Sequence, residues 1–143
     1  MRTAGIIVAI CLLFSFSQEK ARLDIEITNI RSDKGVILLS VYTRPEQYPY
    51  EPAKTYEVKK QSLVNGLLHT TINDLNPGLY GLCLLDDENG SGEMENNKIG
   101  LPAEGYGFAN NVKPFLKRPE YERILFKIYP GINRIQLIVR YKT

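Results

Sequence analysis

Apolar residues alternate with polar ones in several short segments of this chain, and turn-forming residues separate most of these segments. The alternation is clearest in residues 23–28 and 135–140. Successive side chains of a β-strand point to opposite faces, so a period of two predicts strands with one buried face. No segment convincingly repeats its apolar residues with the period of about 3.6 that an amphipathic helix requires. The chain is therefore predicted to be all-β.

Turn chemistry divides the predicted strands. An Asn-Gly pair at 65–66 is a strong hairpin sequence, and Pro-Gly pairs at 77–78 and 130–131 mark two more turns. Residues 44–54 contain three prolines and no helix start, which predicts an irregular connection. About seven strands result, and the long connections between them suit crossings from one sheet to another. We expect a single domain that forms an antiparallel two-layer sandwich.

The N-terminal residues have the pattern of a secretory signal peptide. Arg2 supplies a positive start, residues 4–16 are nearly all apolar, and Ser15 and Ser17 flank a small-residue cleavage site. The apolar run is shorter than the roughly 20 residues that span a membrane, although a retained anchor is the alternative. We therefore expect a signal peptide at 1–17, a domain at 18–143 without a membrane span, and an exported, periplasmic or extracellular protein.

Composition excludes some classes of protein. The formal net charge is only +2 and no basic stripe is present, so the electrostatic basis for nucleic-acid binding is missing. Of the two cysteines, Cys11 lies in the predicted signal peptide and Cys83 in a strand-like segment. The predicted mature domain thus has no internal disulfide, and its lone thiol is expected to be buried.

Catalytic patterns are also lacking. The chain has one histidine, His69, and no Gly-x-Ser-x-Gly sequence. His69 and Cys83 both lie in apolar strand-like segments. Residues in such segments more often fill ordinary positions in a sheet than form a catalytic Cys–His pair. The acidic residues near position 90 supply a general acid and base in principle, but their spacing selects no pair. We predict no catalytic residue, and an acid–base hydrolase is a distant alternative.

The acidic segment 87–95 carries oxygen-bearing side chains at alternate positions, as a tight calcium loop does. It is not an EF-hand, because Lys98 occupies the twelfth position, where an EF-hand has a glutamate. The alternative is an Asx-rich turn whose side chains bond to its own backbone. The candidate calcium ligands are Asp87, Asn89, Ser91, Glu93 through its backbone carbonyl, and Glu95.

Residues 100–111 differ in character, because glycines free the backbone while aromatic residues provide apolar anchors. Disordered segments rarely carry such aromatic residues, so we predict one long ordered loop that reaches from 86 to 111. Aromatic rings beside amides are suited to holding a sugar or a peptide. The alternative is an Ω-like loop held by its own side chains. The candidate ligand-binding residues are Glu104, Tyr106, Phe108, Asn110 and Asn111.

A compound motif in residues 75–111 resembles that of an exported bacterial family labelled domain of unknown function 2141. The family order is Leu-x-Pro-Gly-x-Tyr, then Asp-Glu-Asn-Gly-x-Gly, then Gly-x-Pro-x-Glu-Gly-Tyr-Gly-Phe-x-Asn-Asn. Here it comprises Leu75, Pro77, Gly78 and Tyr80; Asp87, Glu88, Asn89, Gly90 and Gly92; and Gly100, Pro102, Glu104, Gly105, Tyr106, Gly107, Phe108, Asn110 and Asn111. The resemblance implies an exported β-sandwich of unknown activity.

This chain departs from the family pattern at two positions. Asp86 stands where members often have histidine, and Glu95 stands where they often have aspartate. The Leu-x-Pro-Gly-x-Tyr turn is also similar to one in transthyretin-like (prealbumin-like) sandwiches. Transthyretin-like hydrolases use several histidines and a Tyr-Arg-Gly-Ser end, which this chain lacks. The resemblance therefore implies a fold but no hydrolase activity.

Taken together, the sequence predicts an exported, non-enzymatic binding or accessory module with a loop ordered by calcium. Its expected partner is a glycan, a peptide or a protein of the cell envelope. The alternative is a purely structural accessory protein, in which the loop only covers one end of the sandwich.

Overall fold

A computed structural model describes residues 20–142, and these form two β-sheets with a shared apolar core. None of the described residues forms an α-helix, so the all-β prediction is confirmed. The described part of the chain has eight strands, one more than the approximate count from sequence. They are β1 (Ala21–Thr28), β2 (Val36–Tyr42), β3 (Lys54–Lys59), β4 (Leu68–Leu75), β5 (Gly78–Asp87), β6 (Gly105–Phe108), β7 (Leu125–Ile128) and β8 (Gly131–Ile138). Short 3₁₀ turns occur at Pro45–Gln47, Lys60–Ser62, Ala109–Asn111 and Tyr121–Ile124.

The strands are ordered β4-β1-β8 in a three-stranded sheet and β3-β2-β5-β6 in a five-stranded sheet. β7 also pairs with β5, next to β6 on the same edge. All these pairs are antiparallel except β1 with β8, which run parallel from Ala21 opposite Gly131 to Thr28 opposite Ile138. The predicted two-layer sandwich is confirmed, but the antiparallel prediction is wrong for this pair. Residues 29–130 separate these two strands, so no short turn forces them to run in opposite directions.

The core follows from the period-two pattern. In β2, Ile37, Leu39 and Val41 are buried in the core between the sheets, whereas Leu38 and Ser40 lie on the other face. The other long strands contribute alternate residues to the same core. Burial of each large aliphatic side chain contributes about 1.5–3 kcal/mol. The fully buried large side chains are Leu23, Ile25, Ile27, Ile37, Leu39, Leu68, Leu82, Ile124, Ile128, Leu137, Val41 and Val139.

The Asn-Gly turn forms as predicted, but the strands beside it do not make a long hairpin. Asn65 and Gly66 both have positive φ, at 51° and 77°, and the chain closes with a bridge between Val64 and Leu67. β3 and β4 then enter different sheets, because the 3₁₀ turn Lys60–Ser62 directs the chain away from β3. The turn therefore joins the two layers.

A fully buried ion pair lies at one end of the sandwich. The Lys60 ammonium contacts the Asp86 carboxylate and donates hydrogen bonds to the backbone oxygens of Ser32 (3.1 Å) and Lys34 (2.5 Å). The Tyr141 hydroxyl donates to the other Asp86 oxygen at 2.5 Å. Asp86 is 0% exposed. This cluster connects four segments: the β1–β2 turn, the 3₁₀ turn before β4, the end of β5, and the C-terminal residues.

The predicted signal peptide lies outside the described residues. Within residues 20–142, no helix is both long and apolar enough to cross a membrane.

Lys60→Met is expected to lower the free energy of unfolding by about 3–5 kcal/mol, because it leaves the Asp86 carboxylate buried with no cation beside it. Lys59→Met is the control, since Lys59 is adjacent and exposed. Urea denaturation of both variants gives the comparison. Equal effects of the two substitutions would contradict a stabilising role for the buried pair.

Candidate functional site

An open groove of about 740 Å³ lies on the outer face of the five-stranded sheet. Its floor includes Leu38 from β2, Cys83 and Leu85 from β5, and Phe108 from β6. Three segments form its walls: residues 49–55, which reach into the start of β3, and the connections at 92–102 and 114–118. The groove is therefore built by the sheet surface that faces away from the main core.

A second apolar cluster holds this face together: Tyr42, Tyr106, Phe108, Tyr121 and Ile124. Gly81 permits the contact, because a Cβ atom there would lie 2.9 Å from the Tyr121 ring and 3.2 Å from Ile124. The Tyr42 hydroxyl donates to the Pro49 carbonyl at 2.8 Å, which fixes one wall to the sheet. The floor of the groove is thus rigidly supported.

The rim combines exposed apolar side chains with positive charge. Tyr50 is 84% exposed, and the Arg118 guanidinium lies 5.5 Å from the centre of its ring. Leu116 is as exposed as Tyr50. Among the described lining residues there are three basic side chains, at 117, 118 and 142, and one acidic side chain, Glu93. The groove therefore has an apolar floor and a net positive rim.

Cys83 is a free thiol on the groove floor, and burial raises its pKa to about 12. His69 lies on β4 of the other sheet, where it pairs with Glu26 of β1. The two strands thus belong to different layers, so the described structure does not bring the thiol and the imidazole together.

The long loop is shorter than expected. It covers residues 88–104, because 105–108 form β6 and 109–111 form a 3₁₀ turn. Tyr106 and Phe108 are only 7% and 8% exposed, with ring centres 6.0 Å apart. They support the groove floor instead of forming an open aromatic platform.

The two asparagines that follow bond to nearby strands. Asn110 donates to the carbonyls of Arg123 (3.1 Å) and Leu125 (2.8 Å). Asn111 accepts from the Ile138 amide at 2.9 Å and donates to the Gln136 carbonyl at 3.1 Å. Both residues have positive φ, which asparagine tolerates better than most residues. Their amides therefore have backbone partners outside the loop, and ligand binding by these residues stays a prediction.

The acidic segment is arranged as an Asx-rich turn. The Asp87 carboxylate accepts from the amides of Ser91 (3.0 Å) and Gly92 (2.9 Å). Asn89 accepts from the Ser91 amide at 2.9 Å and donates to the Glu95 carboxylate at 3.0 Å. The Ser91 hydroxyl donates to the backbone carbonyl of Glu93 at 3.0 Å. Side chains of this segment thus satisfy its own backbone.

Within residues 20–142, no three side chains of His, Cys, Asp or Glu are placed to hold a metal ion together. Calcium binding through the five residues chosen from the sequence stays a prediction.

Glu104 lies at the inner side of this segment and is 5% exposed. Its Oε1 accepts from the Glu88 amide at 3.0 Å, whereas its Oε2 is buried without a hydrogen-bond partner. Burial raises the pKa of the Glu104 carboxyl, the backbone amides of Glu88 and Asn89 oppose this shift, and the negative charge of Asp87 adds to it. The sequence pattern groups Glu104 with the aromatic residues of 100–111, but the structure places it beside the acidic residues Asp87 and Glu88.

Sequence reasoning missed a second ion pair beside the loop. Arg31 binds both carboxylate oxygens of Glu88, at 2.5–3.2 Å, and Ser32 donates to the same carboxylate at 2.7 Å. The Arg31 guanidinium also lies 4.3 Å from the centre of the Tyr141 ring. These hydrogen bonds lower the pKa of Glu88 to about 2. The partners come from distant segments, so no local pattern indicates them.

We expect Cys83 to react with a disulfide reagent such as DTNB far more slowly in the folded protein than after denaturation. A pKa of about 12 leaves about a thousandfold less thiolate at pH 8 than the usual value of 9.0. A Cys11→Ser background makes Cys83 the single thiol in the assay. Equal labelling rates in native buffer and in guanidinium would contradict this placement of the thiol.

Glu88→Gln is expected to destabilise the protein by about 2 kcal/mol near pH 7, less than the pKa shift alone implies because Arg31 is half exposed. The carboxyl pKa is lowered on folding, so this stabilisation is complete above pH 4.5 and is lost as pH falls toward 2.

Urea denaturation at a series of pH values tests this by comparing the wild type with Glu88→Gln. Glu57→Gln, at an exposed position of β3, is the control. A difference between wild type and Glu88→Gln that persists unchanged at pH 2 would contradict the assignment.

Comparison with known proteins identifies a bacterial family. A family described as an uncharacterized protein conserved in bacteria (DUF2141) matches residues 25–136. No curated protein and no solved structure matches the chain significantly, and the transthyretin-like character stays a prediction. The matched residues run from β1 into β8 and include the groove floor and all three of its walls. The chain is therefore a member of the DUF2141 family of bacterial proteins.

Proposed function

We propose that this chain is an exported binding module that holds an extended polypeptide segment in the groove on the five-stranded sheet. The observation that carries the proposal is the open groove, in which Leu38, Cys83, Leu85 and Phe108 lie among polar lining residues such as Ser40 and Thr55. Binding sites are typically concave, with apolar surface for affinity and polar groups that fix orientation. An extended peptide fits a groove over a sheet because its alternate side chains point into the groove.

A glycan is a less suitable occupant of this groove. Sugar recognition needs an exposed ring face together with free amide or hydroxyl groups. Tyr106 and Phe108 are packed within their own cluster, and the amides of Asn110 and Asn111 bond to backbone. The aromatic rings and amides that the sequence suggested for sugar binding thus already contact other groups of the protein.

Charge favours a peptide with an acidic group. Lys117 pairs with Glu120 at 2.9 Å, whereas the Arg118 guanidinium lies 5.5 Å from the centre of the Tyr50 ring and forms no ion pair within the described residues. Arg118 also lies near enough to Cys83 to lower the pKa of that thiol against the effect of burial. A carboxylate above the groove floor could form a charge-assisted hydrogen bond with Arg118.

Export and the absence of enzymatic activity remain part of this proposal. Export depends on the N-terminal pattern of the sequence. For catalysis, the described groove lining has a single acidic residue, Glu93, while a hydrolase of the acid–base type needs two acidic groups at one cleft. The alternative of a structural accessory protein is favoured by the many hydrogen bonds within the loop.

Peptide display on the immobilised protein tests the proposed function. Selected peptides are expected to carry alternating apolar residues and an acidic group, and their fluorescein-labelled forms should bind in an anisotropy assay. Tyr50→Ala and Arg118→Gln are each expected to weaken binding about 5- to 30-fold, as for moderately important interface contacts. Thermal unfolding should be almost unchanged, because both side chains are at the rim.

Phe115→Ala is the matched control. Phe115 is 87% exposed and neighbours the rim in sequence, but it lies outside the groove lining. Its substitution should leave peptide affinity unchanged. Selection of no peptide, or equal losses in all three variants, would favour the structural accessory protein.

A further inference from the structure

Glu104 has a feature that neither the groove nor the fold requires. Its Oε2 is a buried carboxylate oxygen that has no hydrogen-bond partner among residues 20–142. Buried polar atoms are nearly always satisfied, and an unsatisfied one in a native protein calls for an absent ion, water or proton. A buried carboxylate is particularly costly without such a partner.

Charge balance around Glu104 points to a cation. Four carboxylates meet at this end of the sandwich, and two of them have basic partners: Asp86 pairs with Lys60, and Glu88 pairs with Arg31. Within the described residues, neither Asp87 nor Glu104 forms an ion pair. Backbone amides donate hydrogen bonds to the Asp87 carboxylate and to Glu104 Oε1. Because amides carry no net charge, the negative charge of these two carboxylates is not balanced.

We propose that Glu104 and Asp87 anchor a calcium ion beneath the acidic segment, with Glu104 Oε2 as a direct ligand. Calcium suits this place because it accepts irregular sets of six to eight oxygens, including carbonyls, amides and waters. Asp86 and Glu88 are occupied by their ion pairs, and no three His, Cys, Asp or Glu side chains among the described residues are close enough to hold one ion, so the remaining ligands would be neutral oxygens. This site differs from the sequence-derived one by including Glu104, which enters from the far end of the loop.

Calcium at this position would brace one wall of the groove. The loop leaves β5 after Asp87 and returns to β6 directly after Glu104, so the ion would join its two ends. The residues between them include the groove wall at 92–102. Calcium binding at this place requires the buried carboxylates and no peptide in the groove.

Calorimetric titration with calcium chloride, after dialysis against a chelator, tests the site directly. Calcium should bind with a stoichiometry near one, and thermal unfolding in saturating calcium should shift upward by about 5–10 °C. Magnesium should give a weaker effect, because it needs near-ideal octahedral geometry. Absence of calcium heat in the wild-type protein would overturn the proposal, and a proton or a water would then account for Glu104 Oε2.

Glu104→Gln is the decisive variant, because it keeps the size of the side chain and removes its charge. It should abolish the calcium-dependent shift, and it should unfold in chelator at the wild-type temperature or above. Glu104→Asp shortens the side chain by one methylene and should weaken calcium binding at least tenfold. This variant replaces Glu104→Gln in the test if the latter fails to fold. An unchanged calcium shift in these variants would overturn the role of Glu104.

Glu93→Gln is the matched control from the same loop. The Glu93 side chain is exposed, and its backbone carbonyl is unaffected by the substitution. Its calcium shift should equal that of the wild type. Loss of the shift in this control as well would show that calcium acts on the loop by general screening of charge, which would overturn a specific site.

Discussion

The buried contact between Lys60 and Asp86 determines how this end of the sandwich is built. An ammonium group removed from water needs partners on all sides, and here they are the Asp86 carboxylate and two carbonyls of the β1–β2 turn. Removing one partner of a buried ion pair is costly, because the other charge then stays buried alone. Replacing both partners with apolar residues is often tolerated. The contact between Lys60 and Asp86 therefore fixes the position of the end of β5, where the acidic loop begins.

From that fixed point, three consecutive acidic residues each take a different kind of partner. Asp86 binds the Lys60 ammonium, Asp87 binds backbone amides of the loop, and Glu88 binds Arg31. The strand period explains part of this division, since neighbouring side chains point to opposite faces. The ion pairs of Asp86 and Glu88 thus hold the start of the loop in place, while hydrogen bonds to Asp87 shape the backbone that follows.

Local patterns predicted what depends on local physics. Period-two alternation identified the strands, and the Asn-Gly pair identified a turn at 65–66. Long-range contacts could not be predicted in this way. The parallel pairing of β1 with β8 depends on the overall topology, and no local pattern distinguishes the buried Lys60 from the exposed Lys59. Glu104 was assigned to the aromatic part of the loop because its burial beside Asp87 appears only after the loop folds back.

The parallel pairing of β1 and β8 also fixes where the two ends of the domain emerge. Ala21 lies beside Gly131 at one end of the sheet, whereas Thr28 and Ile138 lie at the other, about 23 Å away for seven residue steps. The acidic loop is at the second end, near Tyr141. An attachment on the N-terminal side of β1 would therefore present the loop outward, while one after β8 would place its bulk against the loop.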